Sequence, residues 1–321
     1  MSRTIAVADI GGTHVRFALA EVDGRIDLDE AVTLRVADHA ALSLAWEEFG
    51  RVIGTGLPDE LAIAFAGPAG GDALRMTNNP WVIRPSSLKR ELGIRKYILI
   101  NDVGAIAHAV PLLGPEQFDH LCGPEGLLPG EGVTSVIGLG TGLGIAMLVR
   151  SPDHHHVIET EGGHVDFAPL DEIEDRILAQ LRRKFGRVSV ERIACGSGLP
   201  TLHAALAVIE GQTAPAAEDR QLWSAALEGR DPLAVAALER FFLTLGSVAG
   251  DVALVQGANA VIIAGGLGHR LRDRFTDSGF AARFVAKGRF EPRMRSIPVK
   301  LFNHPQPALL GAAAAFVREH P

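Results

Sequence analysis

A chain of 321 residues, 47% hydrophobic and 21% charged, can bury more than one core and lacks the composition of a disordered or fibrous protein. Its formal net charge of −7 excludes a general binder of nucleic-acid backbones, whose surface would be basic. The two cysteines, Cys122 and Cys195, are far apart and form no CxxC pair, so a disulfide framework is excluded and a reducing, cytoplasmic setting is expected.

Aromatic residues make up only 6%, so Ala, Val, Leu and Ile are expected to build the cores. The opening MSRTIAVAD passes from a basic residue into a short strand that contains an acid, without the apolar stretch of a signal peptide. The uncharged run over 133–149 contains four glycines and is short for a bilayer crossing, so no membrane partner is expected. In chain order, strands are predicted over 4–8, 15–20, 33–36, 61–66, 97–100, 133–138, 145–149, 260–264 and 299–302. Helical periodicity covers 40–53, 103–110, 171–184, 198–210, 233–255, 267–275 and 308–318. This alternation predicts an α/β protein with helices on its sheets.

Three glycine turns punctuate the strands. Asp9-Ile10-Gly11-Gly12-Thr13 and Gly138-Leu139-Gly140-Thr141-Gly142-Leu143-Gly144 each join two strand-like runs, as if one device were used twice. Ala264-Gly265-Gly266-Leu267-Gly268 follows a strand and opens a helix, where backbone N–H groups can receive an anion. Taken alone, either hairpin turn reads first as an ordinary glycine bend. Repeated, they suggest N–H groups gathered around phosphates. Asp9 would repel a bare phosphate but suits Mg²⁺ held through its water shell. GLGTGLG is not the G-x-G-x-x-G fingerprint, and Walker A and protein-kinase signatures are absent.

Polar residues stand out at three places. The strand ending in Asn101-Asp102 puts an amide and an acid where α/β proteins keep ligand groups, although Asp102 could equally cap the following helix. In Glu161-Gly-Gly-His164 the glycines let both side chains turn toward one point, a pairing suited to vicinal hydroxyls and thin for zinc. Glu191 could complete such a pocket or merely be solvated at a helix start. The run His154-His155-His156 reads as a loop tip after Pro152-Asp153.

With these residues in hand, the sequence resembles the bacterial glucokinase family of the sugar kinase, Hsp70 and actin superfamily. DIGGT, MTNNPW, LINDV, GLGTGLG, EGGHVDFAP, VSVERI, IAGGLG, KGRF and PALLG occur in that family's order and spacing. The resemblance implies an actin-like ATPase (ribonuclease H-like) fold with two lobes and a ligand cleft between them. Residues 1–110 would form a small α/β domain completed by 303–321, and 111–302 a large one. It implies transfer of phosphate from ATP to glucose, with Asn101, Asp102, Glu161, His164 and Glu191 as sugar ligands and Asp102 as general base. Gly11, Gly12, Thr13, Gly140, Thr141 and Gly142 would bind phosphates, Gly265 and Gly266 would flank the adenosine, and Asp9 would hold Mg²⁺ through water. The family often forms homodimers. Ala8, His14 and the run Cys195-Gly196-Ser197-Gly198 depart from its usual residues. A kinase for another hexose and a non-catalytic sugar-binding regulator are the alternatives.

Overall fold

The structure, a computed structural model, describes residues 3–67, 71–76, 79–212 and 218–321. The chain forms two compact units. The first comprises Met1–Gly114, Val157–Glu159 and His304–Pro321, and the second Pro115–His156 and Thr160–Asn303.

In the first unit β1 (Arg3–Ile10) and β2 (His14–Val22) pair antiparallel, closed by Ile10 opposite Val15, with β3 (Ile26–Leu28) and β4 (Val32–Arg35) added on β2. Helix α1 (Leu42–Ile53) buries Leu42, Ala45, Trp46 and Phe49, one stripe at helical spacing, and ends at Gly54 in the left-handed region. Strand β5 (Glu60–Phe65), buried at every residue, lies parallel to β1. The two-residue strands β6 (Leu74–Arg75) and β7 (Val82–Ile83) lead into α2 (Pro85–Leu92), whose proline sits at the first helical position. Strand β8 (Lys96–Asn101) extends the sheet parallel to β5, and α3 (Asp102–Ala109) follows at once.

The second unit runs β9 (Phe118–Cys122), β10 (Gly132–Leu139), β11 (Leu143–Ser151), β12 (His154–Thr160, of which Val157–Glu159 belong to the first unit), α4 (Glu172–Phe185), α5 (Gly198–Ile209), α6 (Asp219–Leu227) and α7 (Pro232–Gln256). It continues through β13 (Ala260–Ala264), α8 (Gly266–Arg270), α9 (Phe280–Val285), α10 (Glu291–Arg295) and β14 (Val299–Phe302). Helix α7 is long and apolar enough to cross a membrane, yet 67% of its apolar window is buried inside the structure, as befits a core helix. Helix α11 (Pro307–Glu319) belongs to the first unit and packs on α3, β1 and β5.

The two main sheets repeat one path: β3-β2-β1-β5-β8 in the first, β12-β11-β10-β13-β14-β9 in the second. Each has an antiparallel meander closed by one of the glycine turns and continued by parallel strands. The similarity glimpsed in two short turns is therefore a similarity of topology.

Two expectations need correction. His154-His155-His156 is not a loop tip but the start of β12, because the turn is complete within Pro152-Asp153; the segment looks irregular in sequence because its residues alternate between exposed and partly buried without an apolar face. The helix expected over 267–275 breaks after Arg270, where the Leu271 N–H is shared between the Leu267 and Gly268 carbonyls and the chain tightens into a 3-10 turn, Arg272–Arg274. As expected, Ala, Val, Leu and Ile make up most of both cores, and Trp223, Phe241, Phe242, Phe275 and Phe280 add a chain of edge-to-face contacts in the second unit.

Candidate active site

In the first unit the parallel strands β1, β5 and β8 bring the Asp9 turn and the Asn101-Asp102 pair to the same end of the sheet, Ile10 aligned with Phe65 and Phe65 with Asn101. Asn101 caps α3: its Oδ1 accepts the N–H groups of Val103 at 2.9 Å and Gly104 at 3.1 Å. Its Nδ2 donates to the Gly67 carbonyl at 3.1 Å, leaving one amide hydrogen for a ligand. The capping role that Asp102 could have filled thus falls to its neighbour. Asp102 becomes the first helical residue, its Oδ1 also 2.9 Å from the Val103 nitrogen.

Burial, together with the charge of Asp9 and a smaller contribution from Glu159, pushes the Asp102 carboxyl from its ordinary 3.8 up to about 7, against the pull of backbone N–H groups. Asp9 is raised by burial as well, although Arg16 lies across the hairpin with Nη1 at 3.2 Å from Asp9 Oδ2 and opposes the shift. The turn itself is held by the Gly11 N–H donating to His14 O at 2.9 Å and by Asn79 Nδ2 donating to Gly11 O at 2.8 Å. Gly12 is partly exposed and Thr13 exposed, open to a ligand.

In the second unit Glu161, His164 and Glu191 come together. His164 Nε2 lies 3.8 Å from Glu161 Oε2, and its Nδ1 lies 3.9 Å from Glu191 Oε1. Both spacings are longer than a direct hydrogen bond. Their side chains are 59%, 54% and 30% exposed for Glu161, His164 and Glu191, so a ligand can reach the polar atoms. Gly163 is required here: a Cβ would stand 1.9 Å from the Leu143 carbonyl oxygen. The turn at Gly140, Thr141 and Gly142 is tied by the Gly140 N–H to Gly142 O at 3.1 Å, and by the Gly196 N–H to Gly140 O at 2.8 Å. The third turn stands beside it, because β10 and β13 are parallel neighbours with Gly138 aligned to Ala264. Gly265 has φ +95°, and a Cβ on it would lie 2.4 Å from Leu139 O; Gly266 faces open space.

Among the described residues no group of three or more His, Cys, Asp or Glu is arranged to hold a metal. Mg²⁺ keeps most of its water and takes one or two carboxylates, so at Asp9 it would be held through that water and by no such group. Sequence reasoning missed Glu159, Arg16 and Asn79. Asn79 lay in the quoted MTNNPW motif, of which Thr77 and Asn78 are outside the described residues. Glu159 carries no sequence signal of its own.

The crystal structure of a glucokinase from an Antarctic psychrotroph matches with TM-score 0.85 at 32% identity, covering 98% of this chain and 99% of that one. The repeated strand order and this likeness define a sugar kinase of the actin-like ATPase fold. The glucokinase of Zymomonas mobilis is 54% identical over 98% of both chains, and that of Caulobacter vibrioides 43% identical over 98% of this chain and 95% of its own. A family model described as glucokinase matches residues 6–319; the chain belongs to the glucokinase family and is an ATP-dependent kinase of glucose.

Proposed function

We propose that the chain transfers the γ-phosphoryl group of ATP to O6 of glucose, that Asn101, Asp102, Glu161, His164 and Glu191 bind the sugar, and that Asp102 is the general base. The observation that carries this reading is the division of roles at the head of α3. Asn101 supplies the cap, and Asp102 is left as a carboxyl whose pKa is pushed to about 7, so that its ionised form, about half present at neutral pH, is basic enough to receive a hydroxyl proton. Phosphoryl transfer is loose, so orienting the hydroxyl contributes more than stripping its proton.

The sugar ligands set specificity. A pocket pairing each hydroxyl strands its own polar groups when one is missing, and rejects such a sugar by up to about 10⁴-fold. Gly12, Thr13, Thr141 and Gly142 would offer backbone N–H groups to the phosphates, on turns that Gly11 and Gly140 close with N–H bonds of their own, and Gly265 and Gly266 would flank the adenosine. Mg²⁺ bound through water at Asp9 would neutralise phosphate charge. We propose also that the enzyme is cytoplasmic and homodimeric, without nucleic-acid or membrane partners, in keeping with its net charge of −7.

Sugar-dependent ADP release with ATP and Mg²⁺, measured for glucose, mannose, fructose and glucosamine, tests the reading. Glucose is expected to be strongly preferred. Equal turnover of all four sugars would remove the assigned ligands from specificity.

A further inference from the structure

Glu159, next to last in β12, has no role in the reading above. Its Oε1 accepts the backbone N–H of Asn101 at 2.7 Å. It also lies so close to the first turn of α3 that a Cβ on Gly104 would stand 2.5 Å from Glu159 Oε1 and 2.8 Å from its Cγ. With Asn101 as the capping residue, Gly104 is the third residue of the helix. In a capping box that third position carries a Glu or Gln whose side chain reaches back to the capping residue's N–H. Here the position is empty of side chain, and a carboxylate from another strand fills the space and makes the same bond. A negative charge beside the first turn of a helix is also favoured by its dipole.

We propose that Glu159 is a positioning residue of the phosphoryl-acceptor site, completing the capping box of α3 from β12 and thereby fixing the turn on which Asp102 stands. The inference rests on Asp102 being the base. Its function is to orient: a turn free to rotate about the strand end would let the Asp102 carboxylate drift from the hydroxyl it serves, and small displacements of this kind are costly in rate. The charged groups gathered around Asp102 are Glu159, Asp9 of β1 and, paired to Asp9, Arg16 of β2.

The test compares Glu159→Ala and Glu159→Gln in the full chain by steady-state kinetics and pH profile. Glu159→Ala is expected to lower kcat by roughly 10- to 100-fold with the KM for ATP changed less than about twofold. Glu159→Gln retains an acceptor for the Asn101 N–H and is expected to restore most of kcat, while the acid limb of its kcat/KM profile moves to lower pH because one negative neighbour is gone. Full kcat in Glu159→Ala overturns the proposal, as does a Glu159→Gln variant that is impaired alike with its acid limb unmoved. If Glu159→Ala does not fold, the Gln variant decides alone. Asp102→Asn, assayed alongside, separates the two failures: if it is active the base assignment falls, and if it is inactive while Glu159→Ala is unimpaired only the positioning role falls.

Discussion

The Glu191 carboxylate accepts the backbone N–H of Leu143 at 3.0 Å, and its other oxygen lies 3.9 Å from His164 Nδ1. A residue assigned to the sugar therefore also anchors the first residue of β11, directly after the glycine turn assigned to the phosphates. Removing the acceptor leaves a buried N–H unpaired, at a cost of about 1–3 kcal/mol. Glu191→Ala is expected to raise the KM for ATP by about fivefold or more besides weakening glucose, whereas Glu191→Gln, which keeps an acceptor, should affect glucose alone. Initial rates over a grid of both substrates distinguish these patterns. A glucose-only effect in the Ala variant would mean that the bond to Leu143 does not support the turn.

Asp102→Asn is expected to lower kcat by roughly 10²–10⁴-fold while leaving glucose affinity mostly intact, because the amide keeps the shape and loses the base. If Asp102 is the base, the carboxyl pushed to about 7 is also expected to set the pH dependence of the parent enzyme. Only the ionised form accepts a proton, so kcat/KM for glucose should fall tenfold per pH unit once the pH is well below 7. A profile flat between pH 5.5 and 8 would exclude Asp102 from proton transfer.

The same shift has a consequence for stability, of opposite sign to the usual carboxylate. With its folded pKa raised from 3.8 to about 7, the acid is held more tightly as the neutral form in the folded chain than in the unfolded one. Its contribution is fully present below about pH 4 and is lost as the pH rises through 7. Asp102→Asn should accordingly be more stable than the parent at pH 8, by about 1–3 kcal/mol after allowing for the side chain's partial exposure, with the gap closing toward pH 4. Urea midpoints of both proteins at pH 4.5 and 8 measure this. A parent as stable as the variant at pH 8 would show that Asp102 stores no such strain.

How much of this was legible in the sequence depended on the range of the interactions. The hairpins β1-β2 and β10-β11 and the stripe on α1 follow from local alternation and periodicity, and they lie where expected. Whether Asn101 or Asp102 caps α3 could not be read, because both residue types cap helices well and the choice is made by backbone angles, extended at Asn101. Glu159 was invisible for another reason: on an exposed strand it looks like any solvated acid, and its partner Asn101 is distant in sequence. The His154-His155-His156 strand was hidden because sheet edges tolerate polar residues on both faces.

The PALLG motif near the C-terminus acquires a physical reason in the packing of α11 on α3. A Cβ on Gly311 would lie 1.6 Å from the Ala105 carbonyl oxygen and 3.1 Å from the Ala109 nitrogen, so the two helix backbones touch where only glycine permits it. Helix α3 begins at Asp102, and whatever displaces the helix displaces the carboxylate proposed as the base. Gly311→Ala must push the backbones apart or strain both, and overpacking of this kind costs about 1–3 kcal/mol or more. A drop in Tm of at least several degrees is expected, together with a lower kcat in the protein that remains folded. Gly130→Ala is the matched control, since a Cβ there meets nothing within 4 Å and should leave both quantities unchanged. Equal melting temperatures for Gly311→Ala and the control would show that the helices have room to spare and that the glycine does not set the position of α3.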